Sequence, residues 1–304
     1  MQPSGPPARA SLVWFALAIV YVIWGSTYLA IRWTLETIPP FTMAAVRYLV
    51  AGSILLAWVK LRGAPRVALR DLGPAFATGG LMLLCGNGGV VWAELRIASG
   101  LAALLIAVEP LFIVLLQATL PWERRRPSGL ALVGVAFGIA GVVLLVWPSH
   151  GLGSGRVDPW GAAAVLFAAL AWALGSLLSR RFSPPSSPLQ AIALQMLAGS
   201  VLLGLASGAA GEWSRFSPAL VSGRSLLAVA YLVVFGSLVA FSAYIWLLRA
   251  ASPSLVSTYA FVNPVVAVFL GWALASEAVT LRTLMAAAVI VGAVVLITLG
   301  ESRR

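Results

Sequence analysis

The chain has 304 residues, of which 61% are hydrophobic and only 10% charged, against about 25% charged in an ordinary soluble domain. Its net charge of +11 would suggest nucleic acid in a soluble protein, but here the basic residues lie mainly between long apolar runs, where they set topology and meet anionic head groups. Cys85 is the single cysteine, so no intrachain disulfide can form, and its apolar surroundings read as those of a small buried hydrophobe.

Taken in chain order, residues 1–11 form a short Pro-rich tail with one arginine, Arg9. The apolar run at 12–31 is too long and too rich in Trp and Tyr for a cleaved signal, and it lacks a small-residue cleavage site. It reads as the first membrane helix. Further runs at 40–60, 72–93, 99–118, 128–147, 158–179, 187–208, 224–248, 253–274 and 280–299 bring the expectation to ten spans, since a helix crosses a hydrocarbon core with about 20 apolar residues. Pro39-Pro40, Pro121, Pro148, Pro184-Pro185 and Pro253 punctuate the turns. The longest connections, near 148–157 and 209–223, are too short to hold a soluble domain.

Orientation follows from the basic residues. With the N-terminus cytoplasmic, that side collects Arg9, Lys60, Arg62, Arg66, Arg70, Arg124, Arg125, Arg126, Arg180, Arg181, Arg249, Arg303 and Arg304, which is thirteen. The opposite side has Arg32, Arg96, Arg156, Arg215, Arg224 and Arg282, which is six, and Arg47 falls inside the second span. Thirteen against six puts both termini inside, as an even number of spans requires.

The stretch 98–123 carries Glu109-Pro110 in mid-span and returns at 251–277 with Asn263-Pro264 in its place. Glu123 and Glu277, Gly138 and Gly292, and Trp92 and Trp246 pair at the same offset of 154. Earlier in the halves, Arg47-x-x-x-Ala51-Gly52-Ser53 matches Gln195-x-x-x-Gly199-Ser200 at 148, and Gly25-Ser26 matches Gly175-Ser176 at 150. The expected organisation is a first repeat over 1–150 and a second over 151–304, five helices each. Five is odd, so the second copy inserts upside down. The loops agree: three arginines follow Glu123, whereas only Arg282 lies near Glu277. An inverted repeat is the sequence signature of alternating-access transporters, with cargo bound near the midplane between the halves.

These features resemble the drug/metabolite transporter superfamily and its EamA-type exporters. The residues that carry the resemblance are Trp24-Gly25-Ser26, Arg47-Tyr48-x-x-Ala51, the paired prolines and the Glu at the 4–5 and 9–10 turns. It covers essentially the whole chain. It implies an all-α membrane protein of ten helices in two inverted five-helix repeats, and a cargo drawn from amino acids (aromatic ones included), drugs or vitamins. The motifs belong to the scaffold and hardly constrain that cargo.

The candidate chemistry starts with Arg47 and Glu109, the only charges deep in a span. Each costs about 2.5–3.5 kcal/mol at the bilayer centre on insertion scales, so each should face a bundle interior or a wet cavity. Arg47 would meet a substrate carboxylate, and Glu109 a substrate amine or a coupled proton. Alternatively the two brace helices, against each other or against freed carbonyls. Pro110 and Pro264 each remove a helical hydrogen bond, which suits helix breaks that shape a cavity or gate it. Trp14, Trp58, Trp122, Trp147 and Trp160 lie near helix ends as interfacial anchors. Trp24, Trp92, Trp172, Tyr244, Trp246 and Tyr259 lie deeper or on repeat-matched helices, as cavity lining or as core. Asn87, Ser176, Gln195, Ser237, Ser242 and Asn263 offer hydrogen bonds to cargo or between helices. Gly134-x-x-x-Gly138 and Ala288-x-x-x-Gly292 read as packing seams. Glu123 and Glu277 read as caps or braces of hairpins.

No Gly-Lys-Ser/Thr is present, since Lys60, the only lysine, precedes Leu61, so this chain has no P-loop to hydrolyse ATP. His150 is the only histidine, which leaves no His-based zinc site and no Ser-His-Asp triad. Asp158 and Glu212 read as isolated loop acids. The expectation is therefore a non-enzymatic exporter of small amphipathic metabolites across the inner membrane, amino acids first, with no cofactor, no metal and no nucleic acid. Its partners would be a small-molecule substrate and membrane lipid, with possible proton coupling and no obligatory protein partner. The alternatives are a broad drug/metabolite exporter, a sugar-phosphate or nucleotide-sugar antiporter, and a facilitative channel.

Overall fold

The computed structural model describes residues 10–123, 126–147, 157–182, 187–251, 253–256 and 258–302. His150, Pro148, Pro184, Pro185, Arg9, Arg124, Arg125, Arg156, Arg303 and Arg304 lie outside the described residues, as do the side chains of Arg180, Arg249 and Pro253.

Among the described residues the regular structure is helical. The ten principal helices are α1 (Ala10–Thr34), α2 (Pro40–Leu61), α3 (Leu69–Ala93), α4 (Ser99–Ile106 and Glu109–Thr119) and α5 (Gly129–Val146), then α6 (Pro159–Arg181), α7 (Pro188–Ala209), α8 (Gly223–Tyr231 continuing to Ala240–Ala250), α9 (Pro253–Val256 and Tyr259–Ala275) and α10 (Leu281–Ser302). Nine of these are long and apolar enough to cross a membrane, and Tyr259–Ala275 is a shorter apolar helix. Lipid leaves no unpaired backbone group unpunished, so a chain of this composition satisfies its amides within helices.

Local chemistry sets the boundaries. Pro40, Pro159 and Pro188 open their helices, where the missing N–H costs nothing. Asp158, Ser128 and Ser222 cap α6, α5 and α8 by accepting from Gly161, Ala131 and Ser225 amides. α2 ends at Gly63, whose φ of 81° lets its N–H reach the Lys60 carbonyl and that of Ala64 reach Val59, both at 3.0 Å.

Two compact units are present, each described here by itself. One contains α1 as far as Leu29, α4, α5, α8 from Phe235, α9 and α10. The other contains α1 from Ala30, α2, α3, α6, α7 and α8 as far as Val234. Each unit therefore draws on both halves of the sequence.

Small residues let the helices approach within each unit. In the first, a Cβ on Gly134 would lie 2.7 Å from the Ala293 carbonyl, and one on Gly141 2.7 Å from Ile290 Cγ1, so α5 lies directly on α10. The expected seam Ala288-x-x-x-Gly292 is not the α10 side of that contact. α10 presents Ala286, Ile290, Ala293 and Ile297, all buried, while Ala288 and Gly292 are exposed, and nothing stands within 4 Å of a Cβ on Gly292. In the second unit, a Cβ on Gly79 would meet the Gln195 carbonyl at 2.8 Å and one on Gly86 would meet Trp172 at 3.0 Å. α3 thus lies close against α6 and α7.

The middle of α3, Gly79–Gly88, is π-helical, and so is Leu232–Val239 in α8. At the repeat offset the two stretches coincide over most of their length. Wide turns of this kind are uncommon and concentrate at working sites.

Candidate functional site

The sequence-selected residues fall into two groups, one in each unit. In the first unit Trp24, Glu109, Pro110, Tyr244, Tyr259, Asn263 and Pro264 come from α1, α4, α8 and α9. Trp24 is the hub. Its ring centroid lies 5.2 Å from Tyr244, 5.3 Å from Tyr259 and 6.0 Å from Phe241, and Tyr244 and Tyr259 meet edge to face at 5.8 Å. Behind these rings pack Leu17, Val20 and Leu247, each no more than 1% exposed. The rings themselves are only half-buried.

Hydrogen bonds fix this group. Trp24 Nε1 donates to the Gly236 carbonyl at 3.2 Å, within the π-helical part of α8. Tyr244 and Tyr259 are joined by a side-chain hydrogen bond, and Glu109 and Tyr28 lie within electrostatic range of the Tyr259 hydroxyl. The hydroxyls of Tyr21 and Thr258 are also hydrogen-bonded. Asn263, with its amide oriented toward its acceptors, donates to the Tyr21 and Tyr259 carbonyls at 3.2 Å each. Its nitrogen therefore joins α1 to α9.

The two prolines sit differently. α4 is interrupted at Ala107–Val108, and Pro110 occupies the first turn of the new segment, where a proline costs no hydrogen bond. Pro264 lies inside the Tyr259–Ala275 helix, six residues beyond the Thr258 turn. The expectation of equivalent mid-span breaks at the two prolines is corrected to this extent: the interruptions do not coincide at the repeat offset. Ala107 and Val108 form the turn in α4, whereas Phe261 and Val262, which match them at that offset, are helical in α9.

In the second unit lie Arg47, Asn87, Trp92, Trp172, Ser176 and Gln195. Arg47 is buried, with its guanidinium 5.0 Å over the Tyr48 ring. Asn87, on the π-helical stretch, has a buried Oδ1 with no hydrogen-bond partner among the described residues. A buried amide oxygen in that state is poised to accept from whatever enters. Gln195 Nε2 donates to Met82 Sδ at 3.1 Å, Trp172 packs on Gly86, and Ser176 is half-buried one turn further along α6. Trp92 stands in the last turn of α3, with the Arg96 guanidinium 4.5 Å over its ring and Arg96 ion-paired to Asp158 at 3.8 Å. It belongs to a helix end rather than to a mid-span group.

Three residues of consequence escape sequence reasoning, and a fourth, Glu277, read as a cap or brace, caps a helix that the sequence does not indicate. Tyr28 and Phe241 complete the aromatic group, and nothing in their spacing distinguishes them from core aromatics. Glu212 is a buried cap, 5% exposed, that accepts from Phe41 N–H (3.2 Å), Thr42 N–H (2.7 Å), Thr42 Oγ1 and Ser207 Oγ (2.9 Å each). Glu277 does the same for α4, accepting from Ser99 N–H and Oγ at 2.8 Å and from Gly100 N–H at 3.0 Å. Neither acid braces its own hairpin. Each caps a helix from the other half of the chain. No group of three or more His, Cys, Asp or Glu that could hold a metal is found among the described residues.

Comparison with known proteins places this geometry. The chain is 45% identical to the inner membrane transporter YedA of Escherichia coli (strain K12) over 287 residues, 94% of this chain and 90% of that one. It is 32% identical to the aromatic amino acid exporter YddG of Ancylobacter novellus over 179 residues, 58% of this chain and 60% of the other. A crystal structure 25% identical in sequence matches with a TM-score of 0.65, covering 97% of this chain and 99% of its own. The model of the EamA-like transporter family matches twice, over residues 11–147 and 159–299. With that family model spanning both halves of a multi-pass helical chain, this protein belongs to the EamA-like transporter family, as a membrane transporter.

Proposed function

We propose that this transporter exports small amphipathic metabolites, amino acids foremost, across the inner membrane. The carrying observation is the aromatic group of Trp24, Tyr244 and Tyr259 in the first unit, the same unit that holds Glu109, the one acid in mid-span. Flat rings bind apolar or aromatic side chains, and a carboxylate binds an amine. In the second unit, taken by itself, buried Arg47 is the only mid-span cation among the described residues, a group suited to a carboxylate, and Asn87 carries an amide oxygen that can accept. The partial similarity to an aromatic amino acid exporter supports the same reading.

The two repeats, inverted with respect to each other, alternate access by rocking about the midplane, with both termini cytoplasmic, as the arginine count indicates. The chain performs no chemistry of its own. A sugar phosphate or nucleotide-sugar fits poorly, because phosphate groups call for several intramembrane arginines or lysines. A channel would need a continuous polar lining, and mid-span polar groups are sparse.

The test is a panel of labelled amino acids, drugs and phosphate esters in proteoliposomes, with and without a pH gradient, comparing wild type with Arg47→Ala. Saturable amino-acid flux that falls on losing Arg47 is the expected result. Absence of saturable flux for any amino acid defeats the substrate assignment.

A further inference from the structure

A crevice of about 380 Å³ opens on the first unit between α9 and α10, with α4 behind it. That volume lies in the range of about 300–1,000 Å³ usual for ligand pockets. Its floor is sealed, since Pro264 is buried and Leu104 is 1% exposed. Its rim is open: Val265, Phe269, Trp272 and Leu284 are between 53% and 58% exposed, and the Phe269 and Trp272 rings pack into one lip at 6.1 Å. The gap has a packing cause. α10 gives its close face to α5 at Gly134 and Gly141, and into the crevice it sends only Leu284 and the small Ala287.

Apart from the Trp272 indole N–H, the walls carry no polar side-chain group. A held water needs about two to four polar partners, so water does not fill this space. The walls belong to apolar helices of membrane-spanning character, so the open rim continues the surface that meets hydrocarbon. The geometry points to a binding site for one acyl chain of a bilayer phospholipid, lodged between α9 and α10 against Pro264 and Leu104. No charged side chain lines it, so the head group takes no part in recognition. The chain would back the turn of α9 whose other side meets α1, where a Cβ on Gly25 would stand 2.6 Å from Val266 Cβ and 3.1 Å from the Asn263 carbonyl. The site is independent of what the transporter carries.

The experiment puts the full chain in bicelles whose phospholipid bears a diazirine in mid-acyl chain, with either a phosphatidylglycerol or a phosphatidylcholine head group, and maps the photolabel by peptide mass spectrometry. Label is expected on the Pro264–Trp272 wall and on Leu284 and Ala287 with both head groups. Phe137, 52% exposed on α5, reports the ordinary lipid annulus. On dilution with unlabelled bicelles, label in the crevice should persist roughly 10-fold longer than at Phe137, because a lodged chain gains its affinity through slow release. Ala287→Phe fills the crevice and should lower its label roughly 10-fold while leaving Phe137 unchanged. No label on these walls, exchange as fast as at Phe137, label with only one head group, or wild-type label in Ala287→Phe overturns the inference. The exchange arm uses the unmodified chain, so it decides even where Ala287→Phe does not fold.

Discussion

Glu277 holds the start of α4 through Ser99, whose N–H and Oγ both reach its Oε1 at 2.8 Å. α4 has no cap of its own, because Ala98 stands where a Ser, Asp or Asn would serve. The carboxylate is brought there by Ser276, a non-glycine residue with φ of 54°, and by the return of the Glu277 N–H to the Gly271 carbonyl at 3.0 Å. Glu277→Ala should strip the cap and cost about 1–3 kcal/mol. The check is the apparent melting temperature in detergent, with Glu277→Gln expected to fall between the variant and wild type because it keeps one acceptor.

Glu212 makes the same connection to α2, in a more enclosed place. Pro39 offers no side-chain acceptor, so the Phe41 and Thr42 amides depend on Glu212. Because this acid is 5% exposed and water cannot readily replace it, Glu212→Ala should cost about 3 kcal/mol. In a double-mutant cycle, Thr42→Val should cost markedly less on the Glu212→Ala background than alone, since the Thr42 hydroxyl donates to Glu212 Oε2. Strictly additive losses would remove Glu212 from the cap.

The repeat-matched glycines Gly138 and Gly292 should respond in opposite ways. A Cβ on Gly138 would run 2.5 Å from Leu111 Cδ1, whereas one on Gly292 meets nothing within 4 Å. Gly138→Ala should destabilise by about 1–3 kcal/mol through overpacking. Gly292→Ala should be neutral or stabilise by about 0.5–1 kcal/mol, the helix-propensity gain of alanine over glycine. Melting temperatures of the two variants side by side provide the check.

These three cases mark what the sequence makes legible. The ten helices are read from unbroken apolar length: the expected run 40–60 is Pro40–Leu61, and 187–208 is Pro188–Ala209. Trp24, Tyr244 and Tyr259 stood out as aromatics on deep or repeat-matched helices, and they do share one group. Caps that act from 170 or more residues away leave no local pattern, so Glu212 read as an isolated loop acid. Which face of α10 meets α5 depends on helix rotation, and Ala286 and Ala293 are no more conspicuous in sequence than Ala288 and Gly292. The π-helical turns at Gly79–Gly88 and Leu232–Val239 have no side-chain signature that periodicity detects.

Ser276 supplies a stability prediction of the opposite sign. A left-handed φ costs a residue with a Cβ roughly 1 kcal/mol relative to glycine. Ser276 is exposed, so its side chain contributes little packing in return. Ser276→Gly should raise the melting temperature while leaving transport of any cargo unchanged. A lower melting temperature would mean that the hydroxyl supports the turn.

Trp24→Phe tests the aromatic group through transport rather than stability. Phenylalanine keeps a ring against Tyr244 and Tyr259 but loses the Nε1 donor to the Gly236 carbonyl in the π-helical part of α8. The Gly236 carbonyl then loses a partner, at about 1 kcal/mol for a neutral hydrogen bond, and the rings are freer to shift. If this group lines the cargo path, the variant should lose roughly fivefold or more in kcat/KM for amino-acid export, because about 1 kcal/mol of positioning corresponds to that factor. Trp160→Phe is the control, since Trp160 is 71% exposed at the start of α6 and should stay close to wild type. Equal effects of the two substitutions would assign Trp24 to general packing and remove the hub from the transport path.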